Sequence, residues 1–421
     1  MSQKRILMLG GTYAQIPAIR KAKELGHYVI TCDYLPENPG HTYADEYHNV
    51  STTDKEAVLN LARNLHVDGV VAYASDPAAP TAAYVSEKLG LASTSYNSVM
   101  ILGRKDLFRS FLAEHGFNVP KSAGFRDLDS ARSFYLQLNK PAMVKPADSS
   151  GSKGVRKVSC ADEFDDAYSY ALSFSRDGIV VVEEYIQRVG PQITGDGFVV
   201  DGKLVFTAFM DQYHNESCNP FVPDGATIPS KQNPLVRKKA EEDVQRVLSL
   251  LNWKTGALNI EYIVDENDSV YLLEIGPRNG GNFIPDLILE ATGVDMIEYT
   301  IRGVLGEDCS DLQQIEPKGY FSYYAIHSEQ HGVLESISFS PELDKCIRFY
   351  QPYLKTGSVV EPFNGASSAL GILILEFESE NEMSDIMSNM SNYIQIEFSS
   401  SNRGGEFPVE TKKINPFGGN V

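Results

Sequence analysis

One pair of strands limits the fold more than any other stretch: ALNIEYIVDENDSVYLLEIG, residues 257–276. Both arms carry apolar side chains at every other position and between them (Leu258, Ile260 and Tyr262; Leu273 and Ile275), so neither face of this hairpin suits water. Yet each arm holds one glutamate, Glu261 and Glu274, and an Asp265-Glu266-Asn267-Asp268 turn joins the arms. With an even loop, Ile263 stands opposite Val270 and Glu261 opposite Leu272, which makes Glu274 the diagonal neighbour of Glu261 on one face. An odd loop would send one glutamate to the other face. Two carboxylates so close, among apolar neighbours, repel each other unless a cation lies between them. One or two Mg²⁺ ions with phosphate oxygens meet that need, and Mn²⁺ is the alternative ion.

A second stretch points the same way. KPADSSGSKGV, residues 145–155, sets Lys145 at the end of an apolar strand and then a loop of small residues. Backbone N–H groups of such a loop can wrap phosphate oxygens, with Lys145 and Lys153 as point charges. The alternative is a solvated hairpin tip. Arg278 follows the second glutamate strand in GPRNGGN (276–282), where a guanidinium can grip a carboxylate or a phosphoryl group in two places. IVVVEEYI (179–186) is a buried strand with a polar end, whose backbone at Glu184 and Ile186 suits a nucleotide base.

The remaining organisation is read from period and punctuation. Strand-like ILMLGG (6–11), YVITCDY (28–34) and GVVAYAS (69–75) alternate with helical patterns, predicting a doubly wound parallel sheet over residues 1–100. The turn GGTYAQ departs from G-x-G-x-x-G, so Asp33 is a weak signal for a dinucleotide. Residues 101–186 read as a linker helix and a small β-α-β-β-α-β lid. Residues 187–310 read as a larger antiparallel α+β region, with 211–234 a long loop whose His214, Asn215 and Glu216 are candidate substrate contacts. Residues 311–400 read as strand-rich and 401–421 as a loosely ordered tail. Loops near Thr12-Tyr13 and Asp76 are candidates for a second substrate. The formal charge of −19 argues against non-specific nucleic-acid or anionic-membrane binding. No apolar run approaches the roughly 20 residues of a membrane span, and ILMLGG is too short for a signal sequence. Five scattered cysteines argue against a disulfide framework, so a reducing cytoplasm is the expected home.

In this order, the motifs resemble the ATP-grasp superfamily, and within it the carboxylate–amine ligases of amino-acid-ligase type. The segment ILGRKDLFRSFLAEHGFNVPKS (101–122), the lid lysine with its glycine loop, the VEEYI hinge and the paired-glutamate hairpin with its arginine carry the resemblance. It implies that Lys105 and Lys145 contact ATP phosphates, and that Ser149, Ser150, Gly151, Ser152 and Gly154 close over the triphosphate. It implies that Glu183, Glu184 and Ile186 line the adenine, that Gln192 stands where the family's ribose-gripping Glu usually is, and that Glu261 and Glu274 bind Mg²⁺. Arg278 and Lys145 would be catalytic, and His214, Asn279 and Gly280 would meet substrate. The implied activity is ADP-forming: a carboxylate becomes an acyl phosphate, and an amine displaces phosphate to give an amide. Alternatives are a carboxyphosphate-forming, bicarbonate-using enzyme and a non-catalytic nucleotide-binding module. Family members are often homodimers. One departure stands out: the family's Asn metal ligand is Gly276 here, with Asn279 or Asn282 as substitutes.

Overall fold

A computed structural model describes residues 3–399; the tail read at 401–421 lies outside them. The N-terminal unit is a four-stranded parallel sheet in the order Glu46–Asn49, Tyr28–Asp33, Arg5–Leu9, Gly69–Val71. Ile6 to Leu9 are wholly buried, as a parallel central strand requires. The strand at 46–49 escaped the sequence because EYHN is polar. The order reverses between Arg5–Leu9 and Gly69–Val71, so the loop carrying Ala74 to Asp76 leaves the sheet at a switch point, where doubly wound folds bind ligands. The first turn and Asp33 are both engaged within the N-terminal unit. A Cβ on Gly11 would lie 2.1 Å from the His41 ring, and Asp33 is engaged by Leu35 N–H at 3.2 Å and Asn38 Nδ2 at 2.9 Å.

The lid matches its predicted order. Strands Ser122–Phe125, Val180–Glu184, Ala142–Pro146 and Arg156–Val158 lie side by side, all antiparallel, and helices Leu128–Leu138 and Phe164–Ser173 cover one face. Ala131, Tyr135, Val144, Val158, Phe164 and Val182 form its own small core. Asp127 caps the first lid helix by accepting from Ser130 N–H at 2.8 Å.

The third unit is an eight-stranded antiparallel sheet. From one edge it runs Val270–Gly276, Gly256–Val264, Ile193–Val200, Lys203–His214, Pro223–Ile228, Tyr320–Ile326, Gly371–Phe377, Ile347–Pro352. The long loop read over 211–234 is corrected here: Lys203–His214 continues to His214, and Pro223–Ile228 is an interior strand. Pro, Asp and Gly at 223–225 look like a turn, but Pro223 opens the strand, where a missing N–H does no harm. Gly225 is needed for closeness, since a Cβ there would stand 2.8 Å from Met387 and 3.0 Å from the Tyr323 carbonyl. Helix Pro234–Leu250 buries Val236, Val244 and Val247 against one cluster, and helix Ile284–Thr292 buries Leu287 and Ile288 against another.

Candidate active site between lid and sheet

The edge hairpin carries the site, and its register differs from the expected one. Val264 pairs with Val270, Ile263 with Tyr271 and Tyr262 with Leu272, so the loop is odd. That alone would put the glutamates on opposite faces. A β-bulge at Leu273 reverses the outcome by inserting one unpaired residue, and Glu261 then stands directly opposite Glu274. Arg109, from helix Lys105–Glu114, sits at this bulge. Its Nη1 donates to the Leu273 carbonyl at 2.9 Å and approaches that of Leu272 at 3.4 Å. Its Nε donates to Glu183 Oε2 at 2.9 Å, so one buried guanidinium joins the bulge to the lid's hinge strand. Nothing in the sequence near Arg109 announced this role.

The electrostatics of the two strands differ. Burial, and then the Glu274 carboxylate opposite, push Glu261 up to about 7. Its partners are the amides of Gln192 at 3.0 Å and Gln212 at 3.5 Å, and Lys105 Nζ lies 3.4 Å from Glu274 Oε2. Lys105 and Arg278 both act on the glutamates, but Arg278 is shared with Asp76, so carboxylates remain in excess, and that excess suits a divalent cation with oxygen ligands. Glu183 is the opposite case. Burial alone would raise its carboxyl, but Arg109 and then Lys145 hold it down at about 2. Glu183, expected beside the adenine, borders the cleft, with its side chain a buried counter-ion to Lys145 and Arg109.

A cleft of about 410 Å³ lies between lid and sheet, lined by Lys105, Lys145, Ser149 to Ser152, Glu184, Ile186, Gln192, His214, Glu261, Glu274 and Arg278. Met143, Ile263, Tyr271 and Leu273 give one end an apolar lining. The loop from Ser149 hangs over the cleft. Lys105 Nζ donates to the Ser149 carbonyl at 2.7 Å, and Ser152 Oγ donates to the Phe221 carbonyl at 2.5 Å. Gly151 and Ser152 take left-handed conformations there, with φ of 64° and 58°. Glu184 pairs outward with Lys140 while its residue borders the cleft. Burial, then Arg188, pull His214 down to about 4, so it is neutral at pH 7.

Three predicted residues do not reach the cleft. Gly154 packs at the loop's far root, where a Cβ would lie 3.1 Å from Phe174 and Pro146. Asn279 is fully buried and accepts from Thr300 Oγ1 at 2.9 Å. Gly280 donates its N–H to Asp196 at 2.8 Å. Buried Asp196 also takes Asn259 Nδ2 at 3.0 Å, and together they hold the turn from below. The turn's left-handed residues are Asn282 and Phe283, with φ of 53° and 58°, rather than its glycines. Of the two amides proposed to replace the missing Asn, only Asn282 lines the cleft; Asn259, paired across from Gly276, lines it as well. Of His214, Asn215 and Glu216, only His214 does so, and Asn215 bonds His327 at 2.9 Å. Arg278 is not free: Asp76 of the N-terminal unit holds its Nε at 2.7 Å and its Nη2 at 2.5 Å.

Known proteins share this fold. A family model for the ATP-grasp domain matches residues 103–282. The carbamoyl phosphate synthase large chain of Thermoanaerobacter pseudethanolicus is 28% identical over 234 residues, 55% of this chain; the chain spans only about a fifth of that relative's length. The formate-dependent phosphoribosylglycinamide formyltransferase of Bacteroides thetaiotaomicron is 26% identical over 322 residues, covering 74% of this chain and 79% of that one. An L-amino acid ligase from Bacillus licheniformis superposes with a TM-score of 0.80 at 20% identity, covering 94% of this chain and 99% of that one. A phosphoribosylglycinamide synthetase from Anaerococcus prevotii gives 0.75 at 20% identity, over 94% and 100%. Residues 103–282, which hold the lid, the hinge and the paired-glutamate hairpin, are an ATP-grasp domain.

Proposed function

We propose that this chain is an ATP-dependent ligase that activates a small carboxylate as an acyl phosphate and joins it to an amine, releasing ADP and phosphate. The observation that carries this reading is the direct pairing of Glu261 with Glu274 in a cleft whose walls also carry Lys105, Lys145 and Arg278. In this reading Glu261 and Glu274 hold Mg²⁺ or Mn²⁺, with Asn259 and Asn282 lining the same cleft, and the ion offsets charge on the phosphates. The apolar end, with Met143 and Leu273, takes the base, and Ile186 offers it backbone groups. Gln192 stands near the ribose. Lys145 reaches the phosphates already aimed, because Glu183 is beneath it and opposes the effect of burial, which pulls its ammonium down. Lys105 and the Ser149–Ser152 loop close on the triphosphate and exclude water from the acyl phosphate.

In the first step a substrate carboxylate oxygen attacks the γ-phosphorus and ADP leaves. In the second an amine nitrogen attacks the acyl carbon, phosphate leaves, and the nitrogen sheds one proton. Arg278 donates N–H groups to the oxygens that gain charge. The relatives named for formate and carbamoyl phosphate chemistry make one-carbon carboxylates the competing donors. A panel of carboxylates, including formate and bicarbonate, each with and without an amine, tests the reading by ADP release. ADP release that needs both an organic carboxylate and an amine supports it; release with bicarbonate alone, or with no donor, rejects it.

A further inference from the structure

We propose that Asp76 is the specificity-determining residue of the carboxylate-donor end, and that it selects an α-amino acid as the carboxylate to be activated by holding that substrate's ammonium group. This deepens the ligase reading above and rests on it. Asp76 and Arg278 both line the cleft, with side chains 18% and 10% exposed, so the pair is reachable from it. Each Asp76 oxygen takes one Arg278 N–H. A carboxylate oxygen has two lone pairs, so each oxygen keeps an acceptor site. Arg278 commits a third N–H to the Asn279 carbonyl at 3.0 Å, and two of its five remain without a protein acceptor among the described residues. Free donors and free acceptors therefore stand side by side, as a zwitterion's carboxylate and ammonium require.

The neighbourhood has been cleared for this pair. A Cβ at Gly276 would lie 3.0 Å from Arg278 Cζ and 3.1 Å from Asp76 Oδ1. An Asn at this position would crowd both side chains. Ala74, two residues before Asp76, holds a left-handed φ of 51°, a strained conformation for a residue with a Cβ. From the N-terminal sheet unit, Ala74 and Asp76 are the residues that line the cleft among those described, and neither is basic. A phosphorylated sugar entering from that side would meet a carboxylate where it needs cations. The ammonium contact has a chemical consequence. An amino group kept protonated by Asp76 is no nucleophile, so the amine that attacks the acyl phosphate comes from a second molecule.

The test uses the full chain with Mg·ATP, hydroxylamine as a common amine, and each proteinogenic L-amino acid beside its des-amino carboxylic acid. Hydroxamate formation gives kcat/KM for each member of a pair. The expected wild-type preference for the amino acid should fall about 10- to 100-fold in Asp76→Asn, chiefly through KM. The des-amino acid should be nearly unaffected, and Asp76→Glu should keep part of the preference. Calorimetric binding of the same pairs with Mg·ADP reads the ammonium contact without turnover and checks that the variant is folded. A preference that survives Asp76→Asn overturns the proposal, as does wild type that binds no L-amino acid better than its des-amino partner. Binding that behaves as expected without hydroxamate or ADP release would reject the ligase reading and keep Asp76 as an ammonium site.

Discussion

Glu183 in the lid and Glu261 in the hairpin are both strand glutamates drawn away from water, and their surroundings are opposite. Glu183 has two cations on it, Arg109 and Lys145, and is held ionised down to about 2. Glu261 has another carboxylate across the strand and two amides, and is pushed up to about 7. The first charge is balanced by the fold itself. The second is left unbalanced, and a protein retains such a repulsion where a ligand relieves it. Arg109 links the two regions: it neutralises one glutamate and sits on the bulge that aligns the other.

The widest test of this contrast is to remove the balanced charge. Glu183→Gln leaves Arg109 and Lys145 buried without a counter-ion and should cost about 3–5 kcal/mol in denaturant unfolding. Adding Lys145→Met should recover part of that loss. The matching change at the unbalanced site should behave in reverse. Glu274→Gln should reduce ADP release about 100-fold or more, while the melting temperature holds or rises because a repulsion is gone. A smaller effect is expected at Gly276→Asn. Restoring the family's residue should lower kcat/KM about 10-fold, because the side chain displaces Arg278 and Asp76; a gain in activity would contradict the packing argument. The same balanced charge can be read in acid. A carboxyl held below its ordinary 4.5 stabilises the fold above that pH and loses the contribution as pH falls toward 2. Wild-type stability should therefore fall more steeply than that of Glu183→Gln between pH 4.5 and 2, read by unfolding at a series of pH values.

Local patterns made much of this architecture readable. The lid's six elements follow from apolar runs separated by turn residues, and its glycine loop from its composition. The hairpin was visible as a hairpin, but its register was not. Whether one residue bulges depends on what lies beside the strand, here a guanidinium from a helix more than 160 residues earlier. The Arg278–Asp76 pair spans 202 residues and leaves no local trace. Pro223–Ile228 misled for a related reason: residues that make turns in isolation serve close packing between interior strands. Asn279 and Gly280 looked like substrate contacts from their neighbours in sequence, whereas buried Asp196 draws Gly280's N–H and Thr300 draws Asn279 to the underside of the turn.

The central claim is that Glu261 and Glu274 together take a divalent cation with the nucleotide. Titration of Mn²⁺ into the protein with ADP, followed by electron paramagnetic resonance, measures this without turnover. Wild type should bind Mn²⁺ in an ADP-dependent way, and the folded Glu261→Gln/Glu274→Gln variant should bind it at least about 10-fold more weakly. Equal Mn²⁺ affinity in the two proteins would contradict the account.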